Sequence, residues 1–171
     1  MGPPGHFGIA LASKPTAPKV PLWTLLVASE VLDLLSFGFE AVGLEKYAVS
    51  ETNFERGVKI LSPCSLPWSQ GLFMSVVWSL LFGGIVYQVT KDRHSSIVSG
   101  LVVFSHWILD FVVHLPYVPL LFGDSPQVGL GLWSSGPGLI ASAVLEFALL
   151  FGGIVIYGIW IKREKKKFSP I

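Results

Sequence analysis

Four apolar stretches, at about 22–44, 71–89, 97–116 and 139–161, alternate with polar segments along the chain. Each is close to the roughly 20 residues that a helix needs to cross a hydrocarbon core. Only helices and closed barrels satisfy their backbone polar groups in lipid, and blocks this long favour helices. The pattern therefore predicts an all-α polytopic membrane protein: one four-span domain built as a four-helix transmembrane bundle. Trp68 and Tyr87 flank the second stretch, where interfacial anchors are expected. Residues 1–20 precede the first span, and within them 6–13 form a short helical segment. Eight residues reach about 12 Å as a helix, too short to cross. Such a segment lies at the surface or re-enters the bundle and carries His6 inward.

Polar positions interrupt the apolar blocks where lipid would penalise them. In SHWILDFVVHLP, residues 105–116, His106, Asp110 and His114 are spaced four apart. On a helix they fan over roughly 80° and climb one face. The first span holds Glu30, Asp33 and Glu40 with no basic residue between Lys19 and Lys46. Glu40 is near enough to an end for simple solvation; Asp33 is not. The fourth span holds Glu146 near its middle, and Gln70 opens the second. A charged residue at a span centre costs about 2.5–3.5 kcal/mol on insertion scales. Such residues face a bundle interior or cavity and are functional candidates by default.

Composition adds a class and an orientation. The chain is 51% hydrophobic and 13% charged, too apolar for an ordinary soluble domain. A net charge of +1 leaves no basic surface for nucleic acid, and a lone cysteine, Cys64, excludes an intrachain disulfide and a multi-cysteine zinc site. The first twenty residues lack the compact apolar core of a cleavable signal peptide. With four spans both termini share a side. Nine basic residues (Lys14, Lys19, Lys91, Arg93, Lys162, Arg163, Lys165, Lys166, Lys167) then face three (Lys46, Arg56, Lys59) across the membrane. The positive-inside pattern makes the termini and the basic 162–171 tail cytoplasmic, in a multi-pass protein of the inner membrane. Asp110 and His114 fall in the outer half, beneath an apolar 117–136 loop expected at the bundle mouth.

LLFGGIV occurs at 80–86 and again at 149–155. It reads either as a repeated two-helix unit or as independent use of glycine pairs for close helix approach. The pairs Gly83–Gly84 and Gly152–Gly153 would also suit a homo-oligomer contact within the bilayer.

Three chemistries fit the polar stripe. A divalent metal such as zinc or manganese needs nitrogen and carboxylate ligands, and His106, Asp110 and His114 supply them from one helix face. His6 and Asp33 complete the set if the N-terminal segment re-enters. Glu30 or Glu146 would then serve as catalytic base beside an acidified water. Alternatively the stripe is a hydrogen-bonded ladder in a structural or accessory membrane protein. In the third reading Glu30, Asp33, Asp110 and Glu146 line the path of a small permease.

GHFGIALASK, the Asp of VLDLL, PWSQG and SHWILDFVVHLP give most of the chain a likeness to a group of small bacterial integral membrane proteins. That group is in turn distantly similar to the membrane-bound metal-dependent hydrolase-like family. The resemblance implies a metal site formed by His6, Asp33, His106 and Asp110 and a hydrolase-like activity; the location in the bilayer alone suggests a lipid or another phosphate ester as its substrate. His114 would be a ligand or stand behind one. Gln70 stands where the group usually has a histidine ligand, so here it supports the site from behind. Leu115–Leu120 replaces a segment that often carries an Arg and an Asp.

Overall fold

The computed structural model describes residues 1–49 and 61–167, with backbone alone at 47–49 and 61–65. The loop charges Glu51, Glu55, Arg56 and Lys59 lie outside the described residues. Four helices are long and apolar enough to cross a membrane: α2 (Leu22–Ala41), α3 (Leu72–Thr90), α4 (Arg93–Val113) and α5 (Gly136–Lys167). The all-α polytopic bundle is therefore present. Its large side chains are turned outward as lipid requires; Trp23, Leu80, Ile140 and Phe151 are among the exposed ones.

The helix ends depart from the apolar blocks for local reasons. Asp92 caps α4, accepting from the Ser95 N–H at 2.9 Å, so α4 starts at Arg93, before its apolar run. Pro116 disfavours helix just before it, and α4 ends at Val113 with His114 as its C-cap. The Ser135 hydroxyl accepts from the Gly138 N–H at 3.1 Å and starts α5 ahead of its expected first residue. At the far end the helix runs through the basic tail to Lys167. Two short antiparallel hairpins, β1 (Lys46–Val49) with β2 (Leu61–Ser65) and β3 (Val118–Pro119) with β4 (Gln127–Val128), occupy segments expected to be loop.

The N-terminal segment forms a fifth helix, α1 (Pro3–Ser13), and it re-enters the bundle. Two prolines in its first turn fix φ at helical values. Eleven residues with two glycines are too few to hold a helix alone, so its stability comes from docking. Its buried face is Gly5, His6, Gly8 and Ala10, small enough for close approach except at the histidine. α1 runs alongside α5 and also packs on α2 and α4. Gly8 and Gly153 meet backbone to backbone: a Cβ on Gly153 would lie 2.9 Å from the Gly8 carbonyl carbon and Cα. The Glu146 carboxylate on α5 accepts from the Gly2 N–H at 2.8 Å, at the positive end of α1.

These contacts bear on the two LLFGGIV segments. Gly83 faces the Ser96 carbonyl on α4, whereas Gly153 faces α1. Gly83 corresponds to Gly152 and Gly84 to Gly153, so the first glycine of the pair is the packed one in α3 and the second in α5. Gly153 is also taken up inside the chain; Gly84 and Gly152 have open space.

One end of the bundle is basic: the Lys19 ammonium bonds Asp92 at 3.0 Å there, and the buried Lys14 lies over Trp160 while bonding the Pro18 and Val20 carbonyls. Burial pulls the Lys14 pKa below the usual lysine value. Between that end and the middle, Leu25, Ala28, Leu32, Val102 and Val103 form a sealed apolar core. Polar groups gather on the other side of it.

Candidate metal centre

α4 sets the floor of the site. His106 is fully buried and Asp110 nearly so, one helical turn further on. The His106 Nδ1 lies 2.7 Å from the Ser29 carbonyl on α2. A carbonyl only accepts, so Nδ1 carries the proton and donates to it. In a neutral ring Nε2 is then a bare lone pair. That atom stands 3.3 Å from Asp33 Oδ1 and 3.3 Å from Asp110 Oδ2. A lone pair facing two carboxylates is repulsive unless a proton or a metal ion lies among them.

α1 adds the second imidazole. His6 is fully buried and stacks on His106, ring centroids 3.9 Å apart and planes 6° from parallel. Its Nε2 is 3.7 Å from Asp110 Oδ1, too far for a hydrogen bond. Neither His6 nitrogen has a hydrogen-bond partner. A buried polar atom left in that state costs about 1–3 kcal/mol. Ligand atoms of His6, His106 and Asp110 all lie within 4.8 Å of one another. A tetrahedral zinc site with bonds of about 2.0–2.1 Å has edges of about 3.3–3.4 Å. The two carboxylate separations from His106 already have that length; the 3.7 Å from His6 runs to the other Asp110 oxygen, and the His6 ring would have to move closer to join the set. The residues present therefore fit a divalent ion with nitrogen and oxygen donors. Asp110 also pairs with the Met1 amine, so this carboxylate already attracts positive charge.

The surrounding groups hold the donors in place. Gln70, in the turn before α3, donates to Asp33 Oδ1 at 2.7 Å, a supporting contact. His114 lies just past the end of α4, its Nε2 3.6 Å from Asp110 Oδ1 and its ring edge-on to Trp133. The Leu130 and Gly131 N–H groups bond the Phe111 and His114 carbonyls, which seats the 114–135 segment on the end of α4. Gly131 adopts φ 70° there, a conformation that suits glycine. Beneath this segment is a cavity of about 300 Å³. Asp33, Asp110, Gln70 and His114 line its inner part; Glu40, Tyr117 and Trp133 line it too, and Glu40 is exposed at its edge.

The two candidate bases sit elsewhere. Glu146 is engaged by the Gly2 N–H and does not line the cavity. Glu30 is half-buried below Asp33, with one carboxylate oxygen buried and unbonded, and is likewise outside the cavity wall. The Ser29 carbonyl and Trp133 were not among the sequence candidates. A backbone carbonyl carries no side-chain signal, and Trp133 lay in a segment legible only as an apolar loop.

The chain matches no protein-family model, no curated protein and no solved structure. Its function is therefore read from the geometry of the site.

Proposed function

We propose that this protein is an intramembrane metal-dependent hydrolase, with a zinc or manganese ion held by His6, His106 and Asp110 and with Asp33 within reach. The observation that carries the reading is the orientation of His106. Its Nδ1–H is fixed on Ser29, and Nε2 points at two carboxylates spaced like the edges of a metal polyhedron. The unbonded His6 ring supports it independently.

The ion, when bound, supplies a Lewis acid and lowers the pKa of a water. Gln70 holds Asp33 in position. His114 lines the cavity beside Asp110, so it is better placed than Glu30 or Glu146 to hold a proton next to a substrate. The apolar core on the basic side keeps bulk water from that direction. The nine-to-three distribution of basic residues supports a cytoplasmic basic end and a cavity that opens on the outer face of the inner membrane.

A permease needs a polar route through the whole bundle. The packing of Leu25, Leu32, Val102 and Val103 below the site argues against one. A purely structural ladder remains the rival. Metal analysis of purified protein separates the two: wild type should carry close to one equivalent of zinc or manganese, and His106→Ala with Asp110→Ala none. Wild-type protein with no metal above background, after purification without chelator, would remove the hydrolase reading.

A further inference from the structure

The cavity beside the centre has a charge pattern that bears on what it receives. Among the described residues its wall carries three carboxylates, on Asp33, Glu40 and Asp110, and no Lys or Arg side chain. The Met1 amine, which also lines it, is already paired with Asp110. A divalent ion held at Asp110, together with the Met1 amine, would bring three positive charges against these three carboxylates, so the wall as a whole would be neutral. Nothing on the described wall is then left to balance the two charges of a phosphate monoester, and Glu40 at the edge would repel it. Sites for phosphate generally supply Arg forks, Lys or clustered backbone N–H groups.

Size and position narrow the class further. About 300 Å³ lies at the lower limit for ligand pockets, roughly 300–1,000 Å³. It accommodates a polar head and the first carbons of a chain, not a whole lipid. Phe37, an exposed residue of α2, also lines the cavity, so a tail could pass from it to the lipid-facing side. Tyr117 and Trp133 offer flat apolar surface with a polar edge, which suits an amphiphile's neck.

We infer that this cavity receives the uncharged head of a bilayer amphiphile and presents its acyl ester carbonyl, not a phosphate ester, to the site. The hydrolytic half of this inference rests on the function proposed above; the binding half does not. In the reaction the oxygen of one water bonds to the carbonyl carbon and the bond from that carbon to the alcohol oxygen breaks. One water proton passes by way of His114 to the departing alcohol oxygen, and the other remains on the fatty acid. No oxidant or further reactant is needed.

The test compares two probes with the same tail and the same ester: 1-monooleoylglycerol and 1-oleoyl lysophosphatidate. Each competes with a fluorescent monoacylglycerol for the full chain in nanodiscs, both chelator-treated and zinc-loaded. The neutral probe should bind about tenfold tighter or more, and Glu40→Lys, at an exposed position, should narrow that gap severalfold. Released oleate and released inorganic phosphate are measured on the same samples. Equal or tighter binding of lysophosphatidate by wild type, or release of phosphate, would overturn the inference. Selective binding of monooleoylglycerol without oleate release from zinc-loaded protein would sink the hydrolase reading while supporting this choice of ligand.

Discussion

Gly153→Ala should weaken metal binding from a position that touches none of the ligands. His6 reaches the site because α1 is docked in the bundle, and Gly8–Gly153 is a backbone-to-backbone contact of that docking. The added methyl would sit 2.9 Å from the Gly8 carbonyl carbon and Cα, and closer still to the carbonyl oxygen. Restoring a carbon–carbon distance of about 3.5 Å requires the two helices to part by on the order of 1 Å. Both sides are backbone, so no rotamer change relieves the clash. Overpacking of this kind costs about 1–3 kcal/mol, a factor of about 5 to 150 in the docking equilibrium of α1 and an upper bound on the loss of docked population. Zinc affinity, measured by competition with a chromophoric chelator, should fall by up to that factor, in proportion to the docked fraction that is lost. Gly152→Ala is the matched control, because no atom lies within 4 Å of its added Cβ. Both substitutions raise helix propensity alike, by about 1 kcal/mol, so that effect cancels in the comparison. Circular dichroism should show the four long helices intact in all three proteins, with Gly153→Ala losing at most the helix content of α1. Equal zinc affinity for the two variants would refute the claim that α1 docking sets the site.

Two further outcomes follow from single contacts. Glu146→Gln keeps an acceptor for the Gly2 N–H and should lower the thermal midpoint less than Glu146→Ala, which removes a hydrogen bond to a charged group worth about 1.5–3 kcal/mol; equal losses would show that this bond is not what matters. Ser95, through its hydroxyl and backbone N–H, and the Lys19 ammonium hold the Asp92 carboxyl below the ordinary carboxylate range. A depressed folded-state pKa means stability that is fully present above the unfolded value of about 3.9 and lost as pH falls through the folded value. The thermal-midpoint gap between wild type and Asp92→Asn should therefore be constant above about pH 5 and shrink below pH 4; a gap that stays flat to pH 2 would count against the cap.

What the sequence made legible was what depends on long runs. The four membrane helices follow from block length, and the face shared by His106 and Asp110 follows from their spacing. Asp33 was readable as a buried candidate because no basic residue stands near it in its span. The re-entry of α1 was left open for a physical reason. Gly5 and Gly8 weaken the local helix signal, and what holds that end of α1 is Gly153 and Glu146, far away along the chain. His114 fell inside the expected span but outside the helix, although Pro116 was a visible stop signal. Glu45 stands in the polar segment between the first two spans, where the sequence pattern does not single it out. It is buried, accepting from the Trp68 and Ser69 N–H groups and from the Ser69 hydroxyl, and it ties the end of α2 to the turn before α3. Gln70 could be placed beside the site by likeness, but only the fold shows its amide on Asp33.

His6 distinguishes a metal centre from a hydrogen-bonded ladder. A ladder needs only His106, Asp33, Asp110 and a proton: imidazolium hydrogens satisfy Ser29 on one side and the carboxylates on the other. In that arrangement the His6 nitrogens have no task, and burying them unbonded costs about 1–3 kcal/mol each. His6→Phe keeps a flat ring stacked on His106 and removes both polar atoms. If the site is a ladder, the variant should be as stable as wild type or more so, with the thermal midpoint unchanged or raised. If His6 is a ligand, the metal-free variant should still gain stability, whereas zinc-loaded wild type should exceed zinc-loaded His6→Phe. Saturating metal at a hundredfold over Kd contributes about 2.7 kcal/mol to whichever protein binds it. The informative quantity is therefore the change in midpoint on adding zinc, measured separately for each protein. A large zinc shift in wild type that vanishes in His6→Phe supports ligation through α1. Equal shifts in both proteins would place any ion outside the reach of His6, and the re-entrant helix would then be packing rather than chemistry.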